Sequence, residues 1–216
     1  MSRIAIIGGH GKVALRLAPL LVRDGHQVTS IVRNADHEDE VRATGATPRV
    51  ADTEQLDRAG FVDLLAGHDV VVWSAGAGGG EPARTYAVDR DAAILSMGAA
   101  SEAGAKRYLM VSYFGAGPDH GVPQDNAFFS YADAKSAADA HLVTSDLAWT
   151  LLRPSKLTLE SGTGRIESGA GVTSGEVSRD NVAAVVAAAV ADDRSIKRTI
   201  EFNDGETPIE QVVAGE

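Results

Sequence analysis

The sequence predicts an α/β fold in which a parallel sheet carries helices on both faces, and three observations support this prediction. Residues 3–7 form a β-branched apolar run, as in strands that are buried on both faces. A glycine-rich turn follows at residues 8–14, and a helical pattern comes directly after it. Strand and helix patterns then alternate along the 216 residues, which is typical of a doubly wound parallel sheet. The length predicts a single domain over 1–216.

The elements are predicted in chain order from apolar runs and helical spacing. The predicted strands cover 3–7, 27–32, 47–51, 69–73, 107–112, 149–152 and 199–203. The predicted helices follow the first turn and cover 53–65, 85–103, 127–145, 180–191 and a terminal turn at 208–213. Polar or glycine-rich loops are predicted at 34–40, 74–80 and 113–126. Pro19 falls inside the first helix, where we expect a kink or one unmade hydrogen bond.

The C-terminal part of the chain has a less regular pattern. Residues 155–175 contain five glycines among alternating Thr, Ile, Leu and Val. This composition predicts an irregular segment with short strands that do not join the sheet. Together with residues 196–216, the segment is expected to form a minimal region that covers a substrate.

Composition limits the class of partner. The net charge of -10 argues against nucleic acid and against an anionic membrane surface, because both are bound through excess Lys and Arg. The chain has no cysteine, its six histidines lack metal-ligand spacing, and no apolar run approaches eighteen residues. We therefore expect a cytoplasmic protein with a small-molecule substrate and no metal. Whether it forms a homodimer stays open.

The turn at 8–14 has the sequence Gly-Gly-His-Gly-Lys-Val-Ala. Gly8 can supply a tight turn, Gly11 lets the backbone approach a pyrophosphate, and Ala14 allows close packing of helix on strand. The first helical N–H groups would point at the anion. This context predicts dinucleotide binding, and the alternative is a glycine-rich turn that binds nothing. The other members of the turn are Gly9, His10, Lys12 and Val13.

Arg33 follows the second strand, where a dinucleotide-binding fold meets the adenosine ribose. A carboxylate at this position would favour NAD. An arginine can instead bind a 2′-phosphate, worth ~1.5 to 3 kcal/mol or about a tenfold to hundredfold preference, and Lys12 could add to it. Arg33 therefore predicts NADP (NADPH) as the cofactor. The alternative is an arginine solvated at a strand end.

Tyr131 and Lys135 lie four residues apart, so both project from one face of the predicted helix. A tyrosine that exchanges a proton near pH 7 must have its pKa lowered by about three units, and an ammonium ~4 Å away supplies an effect of that size. Ser112 ends the preceding strand and could orient a substrate carbonyl beside the tyrosine. These residues form a candidate catalytic group, although the spacing alone is not specific.

Motifs along nearly the whole chain resemble those of the atypical short-chain dehydrogenases/reductases. The similarity is to the NAD(P)H-binding branch that includes NmrA-like regulators, small sugar-epimerase-like proteins and flavin or biliverdin reductases. The resemblance implies a Rossmann fold, although the chain is shorter at its C-terminus than relatives with defined sugar substrates. The matching stretches are 7–14, 32–33, 51–52, 74–76, 86–89, 111–112, 131–135, 152–154 and 178–183.

The resemblance also implies roles for residues along a bound cofactor. The glycine turn would bind the pyrophosphate, Asp52 would accept a hydrogen bond from adenine, and Ser112 with Tyr131 would be the catalytic pair. Lys135 would hold the nicotinamide ribose. Further along the cofactor, Ser74, Ala75 and Gly76 would line its middle, and Leu152 to Pro154 would back the nicotinamide ring.

Each of these roles has a structural alternative. Asp52 could cap the following helix, and Ser112 could be a strand-end hydroxyl with no other role. His10 could equally contact a phosphate or be a surface histidine. Asp89 is expected to be structural, either bonding backbone or facing solvent.

The leading hypothesis is an NADP(H)-dependent oxidoreductase that acts on a small carbonyl or related acceptor. A non-catalytic NADP(H)-sensing or partner-binding protein is the first alternative. A sugar or nucleotide-sugar epimerase is the second, and Arg33 disfavours it because such enzymes hold NAD tightly.

Overall fold

In a computed structural model that describes residues 1–78 and 81–216, strands and helices alternate as the pattern predicts. Gly79 and Gly80 of the second glycine-rich turn lie outside the described residues. The strands are β1 (Arg3–Ile7), β2 (Gln27–Val32), β3 (Thr47–Val50), β4 (Val70–Trp73), β5 (Arg107–Val111), β6 (Ala148–Pro154), β7 (Lys156–Thr158), β8 (Arg165–Ser168), β9 (Glu176–Ser178), β10 (Arg198–Asp204) and β11 (Thr207–Pro208). The helices are α1 (Ala14–Arg23), α2 (Glu38–Ala43), α3 (Arg58–Leu65), α4 (Pro82–Thr85), α5 (Ala93–Glu102), α6 (Phe129–Val143), α7 (Arg179–Ala191) and α8 (Ile209–Ala214).

Nine strands form one sheet in the order β11-β8-β10-β6-β5-β4-β1-β2-β3. The seven strands from β3 to β10 in this order are parallel to their neighbours, and β8 pairs antiparallel with both β10 and β11. A separate pair, β7 and β9, is parallel. The order 3-2-1-4-5-6 is that of the doubly wound dinucleotide-binding fold, whose ligand lies at the switch point between β1 and β4. The predicted fold class is confirmed.

The sheet is buried on both faces, and successive residues of a strand serve two different cores. In β1, Ile4 and Ile6 pack with Leu17 of α1 on one face. Ala5 and Ile7 pack on the other face, where α3, α5 and α6 lie. Because a strand alternates its side chains, a run that is apolar at every position needs a helical layer on each side.

Three local features differ from the predictions. The irregular segment 155–175 contains β8, which joins the main sheet, so the prediction that it stays outside the sheet is wrong. The polar stretch 34–40 forms a short 3₁₀ helix, Ala35–His37, and the start of α2. Within the predicted helix 85–103, Tyr86–Ala92 winds as a π-helix between α4 and α5. Pro19 lies inside α1 on its exposed side.

Among the described residues, none of the helices combines the length and the apolar character needed to cross a membrane.

Candidate functional site

The glycine turn joins β1 to α1 and brings the backbone of neighbouring strands close together. Gly8 has a φ of +84°, and a Cβ atom on it would lie 2.6 Å from the Cα of Ala75. A Cβ atom on Gly9 would lie 2.5 Å from the Cβ of Ser30. Gly11 N donates to the carbonyl oxygen of Gly8 over 2.8 Å. The turn is therefore specific for glycine at Gly8 and Gly9, because a side chain at either would push apart the ends of the strands.

The N-terminus of α1 faces open space beside this turn. No side chain caps its first turn, and no acidic residue lies there. Gly11, Lys12 and Val13 line the adjoining cavity. The positive end of the helix dipole is thus presented to the cavity without a competing carboxylate in that turn, which is the arrangement that binds phosphate in this fold class.

Two cavities meet at the carboxyl ends of the central strands. The central cavity, about 630 Å³, extends from the glycine turn to Ser112 and Tyr131. The β2 cavity, about 420 Å³, lies between the turn and Arg33 at the end of β2. Both are lined by Gly11 and by Ser74–Gly76, so they form one continuous cleft. The predicted position of 74–76 at the middle of a dinucleotide is consistent with this geometry.

Arg33 lines the β2 cavity and its side chain is 57% exposed. Its Nη1 donates to Glu54 Oε1 over 3.1 Å, and Arg84 Nη2 donates to the same oxygen over 2.8 Å. The two guanidinium groups, chiefly that of Arg84, lower the pKa of Glu54. Arg84 also donates to the carbonyl oxygen of Ala77 over 2.7 Å. Arg33 is therefore at the predicted end of the cleft, held by a carboxylate that sequence reasoning did not identify.

Lys12 and Asp52 lie differently from what the sequence suggested. Lys12 lines the central cavity, whereas Arg33 lines the β2 cavity, so the two do not share one pocket wall. Asp52 Oδ1 accepts a hydrogen bond from Glu54 N over 3.1 Å, and Asp57 is the residue that caps α3. The alternative role of Asp52 as the cap of that helix is wrong, and its role toward adenine stays a prediction.

Ser112 lies at the end of β5 and lines the central cavity. Its hydroxyl donates to Asp139 Oδ2 over 2.9 Å, and Arg153 Nε donates to the same oxygen over 3.0 Å. Asp139 is buried, and its pKa is raised by that burial, with Arg153 as the largest opposing influence. Ser112 is thus oriented by a buried carboxylate on α6, an interaction that the sequence analysis missed.

Lys135 occupies a different environment from the one expected. It is 1% exposed, and its Nζ donates to the carbonyl oxygen of Val111 over 2.8 Å. Burial lowers its pKa, while Asp89 and Asp139 raise it. Lys135 does not line the central cavity, so its predicted contact with the nicotinamide ribose stays a prediction.

Tyr131 projects from α6 into the cavity that Ser112 lines. Burial raises its pKa, and the carboxylates of Asp89 and Asp139 raise it further. The pKa of Tyr131 is raised and not lowered in this arrangement, so the expectation that Lys135 lowers it is wrong. Asp89 itself accepts a hydrogen bond from Ala77 N over 2.9 Å, so its predicted bond to backbone is confirmed.

A third cavity of about 580 Å³, here called the aromatic cavity, adjoins the central one. The two share Ser112, Phe128, Tyr131 and Leu157. The ring centroids of Phe128 and Tyr131 lie 5.1 Å apart. The remaining wall includes Tyr113, Phe114, His120, Val122, Pro154, Ser155, Lys156 and Ser174.

The aromatic cavity shows which parts of the C-terminal region face a ligand. Segment 155–175 contributes four of the lining residues, as expected for a substrate-side region. Residues 196–216 instead supply β10, β11 and α8 at one edge of the sheet, and none of them lines the three cavities described. Pro154 lines the aromatic cavity and not the central one.

Some of the missed residues had a signal in the sequence. Asp139 follows Lys135 by four residues, as Lys135 follows Tyr131, so the three share one face of α6. Glu54 and Arg84 had none, because 30 residues separate them and only the fold brings them together. Among the described residues, no group of His, Asp and Glu has the arrangement of a metal site.

Comparisons with known proteins agree with this geometry. The chain is 31% identical over 214 residues to the Uncharacterized sugar epimerase YhfK of Bacillus subtilis, with 98% of each chain covered. A solved structure of a candidate NAD-dependent epimerase/dehydratase from Bacillus halodurans has 32% identity and a TM-score of 0.91, with 100% of both chains covered. The oxidoreductase ylbE from Lactococcus lactis has 26% identity and a TM-score of 0.87, covering 99% of this chain and 95% of that one.

The pattern of one family extends over most of the chain. It matches residues 8–193, from the glycine turn to just beyond α7, and the family is described as NAD(P)H-binding. The resemblance to atypical short-chain dehydrogenases/reductases is confirmed by this match and by the related structures. The chain therefore belongs to the NAD(P)H-binding family.

Proposed function

We propose that the protein is an NADP(H)-dependent oxidoreductase that acts on a small carbonyl or related acceptor. The main observation in support of the proposal is that the cleft is continuous. One cavity joins the glycine turn to Ser112 and Tyr131, and a second cavity with an apolar, aromatic wall opens at the same two residues.

The cofactor site is assigned from the walls of the cleft. The N-terminus of α1 and the glycine turn would hold the pyrophosphate, and Arg33 would bind the 2′-phosphate. The nicotinamide ring supplies a hydride when the reduced cofactor is bound. Gly8 and Gly9 support this assignment. Without side chains, they let the turn pack directly against Ala75 and Ser30, and its backbone stays accessible to a phosphate.

The protonation state of Tyr131 suits a proton donor. Its raised pKa keeps the hydroxyl protonated at neutral pH. A protonated phenol can donate a hydrogen bond to the oxygen of a carbonyl that is being reduced. The hydroxyl proton of Ser112 is donated to Asp139, so Ser112 would bond the same carbonyl oxygen by turning that proton from Asp139 to the substrate.

Two alternatives rest on particular observations. Lys135 is bonded to Val111 and not directed into the cavity, which suits a non-catalytic NADP(H) sensor. The name of the Bacillus subtilis relative suits a sugar epimerase. The aromatic wall around Phe128 suits a flat, weakly polar acceptor.

The test is a screen of carbonyl, quinone and flavin acceptors with NADPH, followed by the absorbance of the reduced cofactor. We expect turnover with at least one flat or carbonyl acceptor. NADPH binding without turnover across a broad panel would contradict the enzyme proposal and favour the sensor.

A further inference from the structure

Two histidines from different elements stack at the β2 end of the cleft. His10 belongs to the glycine turn and His37 ends the 3₁₀ helix after β2. Their ring centroids lie 3.6 Å apart with an interplanar angle of 12°. His10 Nε2 lies 3.0 Å from Glu40 Oε2 at the start of α2. The contact therefore connects the phosphate-binding turn to the segment that follows β2.

The histidine pair lies in the wall of the β2 cavity, together with Arg33 and Asn34. Asn34 fixes the short helix that carries His37, since its Oδ1 accepts a hydrogen bond from Asp36 N over 3.0 Å. The two imidazole rings are thus placed beside the guanidinium group that we assign to the 2′-phosphate.

Histidine is the side chain that changes its charge between about pH 5 and 8. A 2′-phosphate is largely a dianion near pH 7, since the second pKa of such a group is about 6. One protonated imidazole beside Arg33 would add a charge-assisted interaction with that phosphate.

We propose that the His10–His37 pair makes the preference for a 2′-phosphorylated cofactor depend on pH. The proposal rests on the proposed binding of NADP(H). The preference for the phosphorylated cofactor increases as the pH falls from 8 to 6.5, through the range in which histidine changes its charge. The other charged groups around the pair are Glu40 from α2, Asp36 and Glu38 on either side of His37, and Arg33 at the end of β2.

The test uses two adenosine probes without nicotinamide, 2′,5′-ADP and 5′-AMP, titrated by calorimetry between pH 6.5 and 8. The 5′-phosphate is common to both probes. The dissociation constant of 5′-AMP divided by that of 2′,5′-ADP therefore measures the contribution of the 2′-phosphate. For the native chain we expect this ratio to rise about tenfold as the pH falls, the effect of one charge-assisted bond.

The double variant His10→Asn/His37→Gln should reduce that rise to about twofold or less, because neither replacement changes its charge in this pH range. Its far-ultraviolet circular dichroism spectrum at pH 8 should match that of the native chain, which shows that the fold is intact. His141→Gln, at an exposed position on α6, is the matched control and should keep the native pH dependence.

The outcomes separate this inference from the proposed function. A ratio above ten at every pH that does not change with pH, or that changes equally in the double variant, overturns the role of the histidines while leaving NADP(H) binding in place. Equal affinity for the two probes throughout overturns the assignment of the 2′-phosphate site, and the histidine proposal with it.

Discussion

Tyr131 and Ser112 line the same cavity, and one buried acid acts on both. Asp139 accepts a hydrogen bond from the Ser112 hydroxyl, and the same carboxylate adds to the effects of burial and of Asp89 in raising the pKa of Tyr131. Asp139 thus orients one hydroxyl and contributes to keeping the other protonated. We propose that the protonated hydroxyl of Tyr131 donates to the oxygen of the acceptor.

Replacing Tyr131 by Phe removes the proposed proton donor and keeps the ring. We expect turnover of an accepted substrate to fall about 10²- to 10⁴-fold, the contribution of general acid catalysis. NADPH affinity, measured by fluorescence titration, should change less than about twofold, because the phenol oxygen is not assigned to the cofactor. Tyr86→Phe, in the π-helical segment, is the control, and unchanged turnover in Tyr131→Phe would refute the catalytic assignment.

Arg33→Ala tests the other end of the cleft. The dissociation constant of NADPH should rise about tenfold to a hundredfold while that of NADH stays nearly constant, since only NADPH carries the 2′-phosphate. Arg23→Ala at the far end of α1, where the arginine pairs with Asp24, should leave both constants unchanged. An equal rise in both dissociation constants would show that Arg33 supports the cavity wall and does not bind the 2′-phosphate.

Sequence reasoning placed the glycine turn, Arg33 and Tyr131 along one cleft because each follows from a local motif. It did not predict the contact of Lys135, since four-residue spacing on a helix shows which face a side chain occupies but not what that face contacts. The bond from Lys135 to Val111 depends on how α6 lies against β5, which local sequence does not specify.

At the level of secondary-structure elements, Glu54 joins three segments that surround the cleft. It lies between β3 and α3, contacts Arg33 after β2, and contacts Arg84 of α4. Arg84 in turn holds the carbonyl of Ala77 after β4. Because Glu54 is 19% exposed, this network is better shielded from solvent than the ion pairs on the outer helix faces.

Glu54→Gln should lower the free energy of unfolding at pH 7 by about 1 kcal/mol, as measured by urea denaturation. The pKa of Glu54 is lowered in the folded protein, so its contribution is complete above the ordinary glutamate range and is lost as the pH falls. The difference between the two proteins should therefore shrink below about pH 4. Glu210→Gln on α8 is the exposed control, and a difference that grows in acid would contradict this account.

The central strands were predicted to within one or two residues because buried parallel strands are apolar throughout. The π-helical turn at Tyr86–Ala92 was not predicted, because the spacing of apolar residues in a π-helix is close to that in an α-helix. β8 was missed because Arg165 and Glu167 alternate with Ile166 in a short strand among glycines, a pattern that also suits a loop.

At the level of the whole molecule, the C-terminal strands extend the sheet and leave the cleft to other segments. β8 and β11 add an antiparallel edge to the parallel sheet. Ile166 of β8 packs in the same core as Phe202 of β10 and Val213 of α8. The region that was expected to cover a substrate is therefore partly a structural extension of the main core.

Ile166→Ala should destabilise the whole domain by about 2–5 kcal/mol, the usual cost of removing a buried isoleucine side chain. Urea unfolding followed by far-ultraviolet circular dichroism and by tryptophan fluorescence should show one transition shifted to lower urea. Leu159→Ala, at a site that is 67% exposed, should change stability by less than about 0.5 kcal/mol. A separate early transition in Ile166→Ala would contradict the prediction of a single domain.

A crystal structure of the protein with NADPH tests the central claim most directly, because the claim assigns one end of a single cleft to each end of the cofactor. We predict the 2′-phosphate within hydrogen-bond distance of the Arg33 guanidinium group, the pyrophosphate at the N-terminus of α1, and the nicotinamide ring in the cavity that Ser112 and Tyr131 line. A nicotinamide ring directed away from Tyr131, or a 2′-phosphate with no contact to Arg33, would contradict the claim.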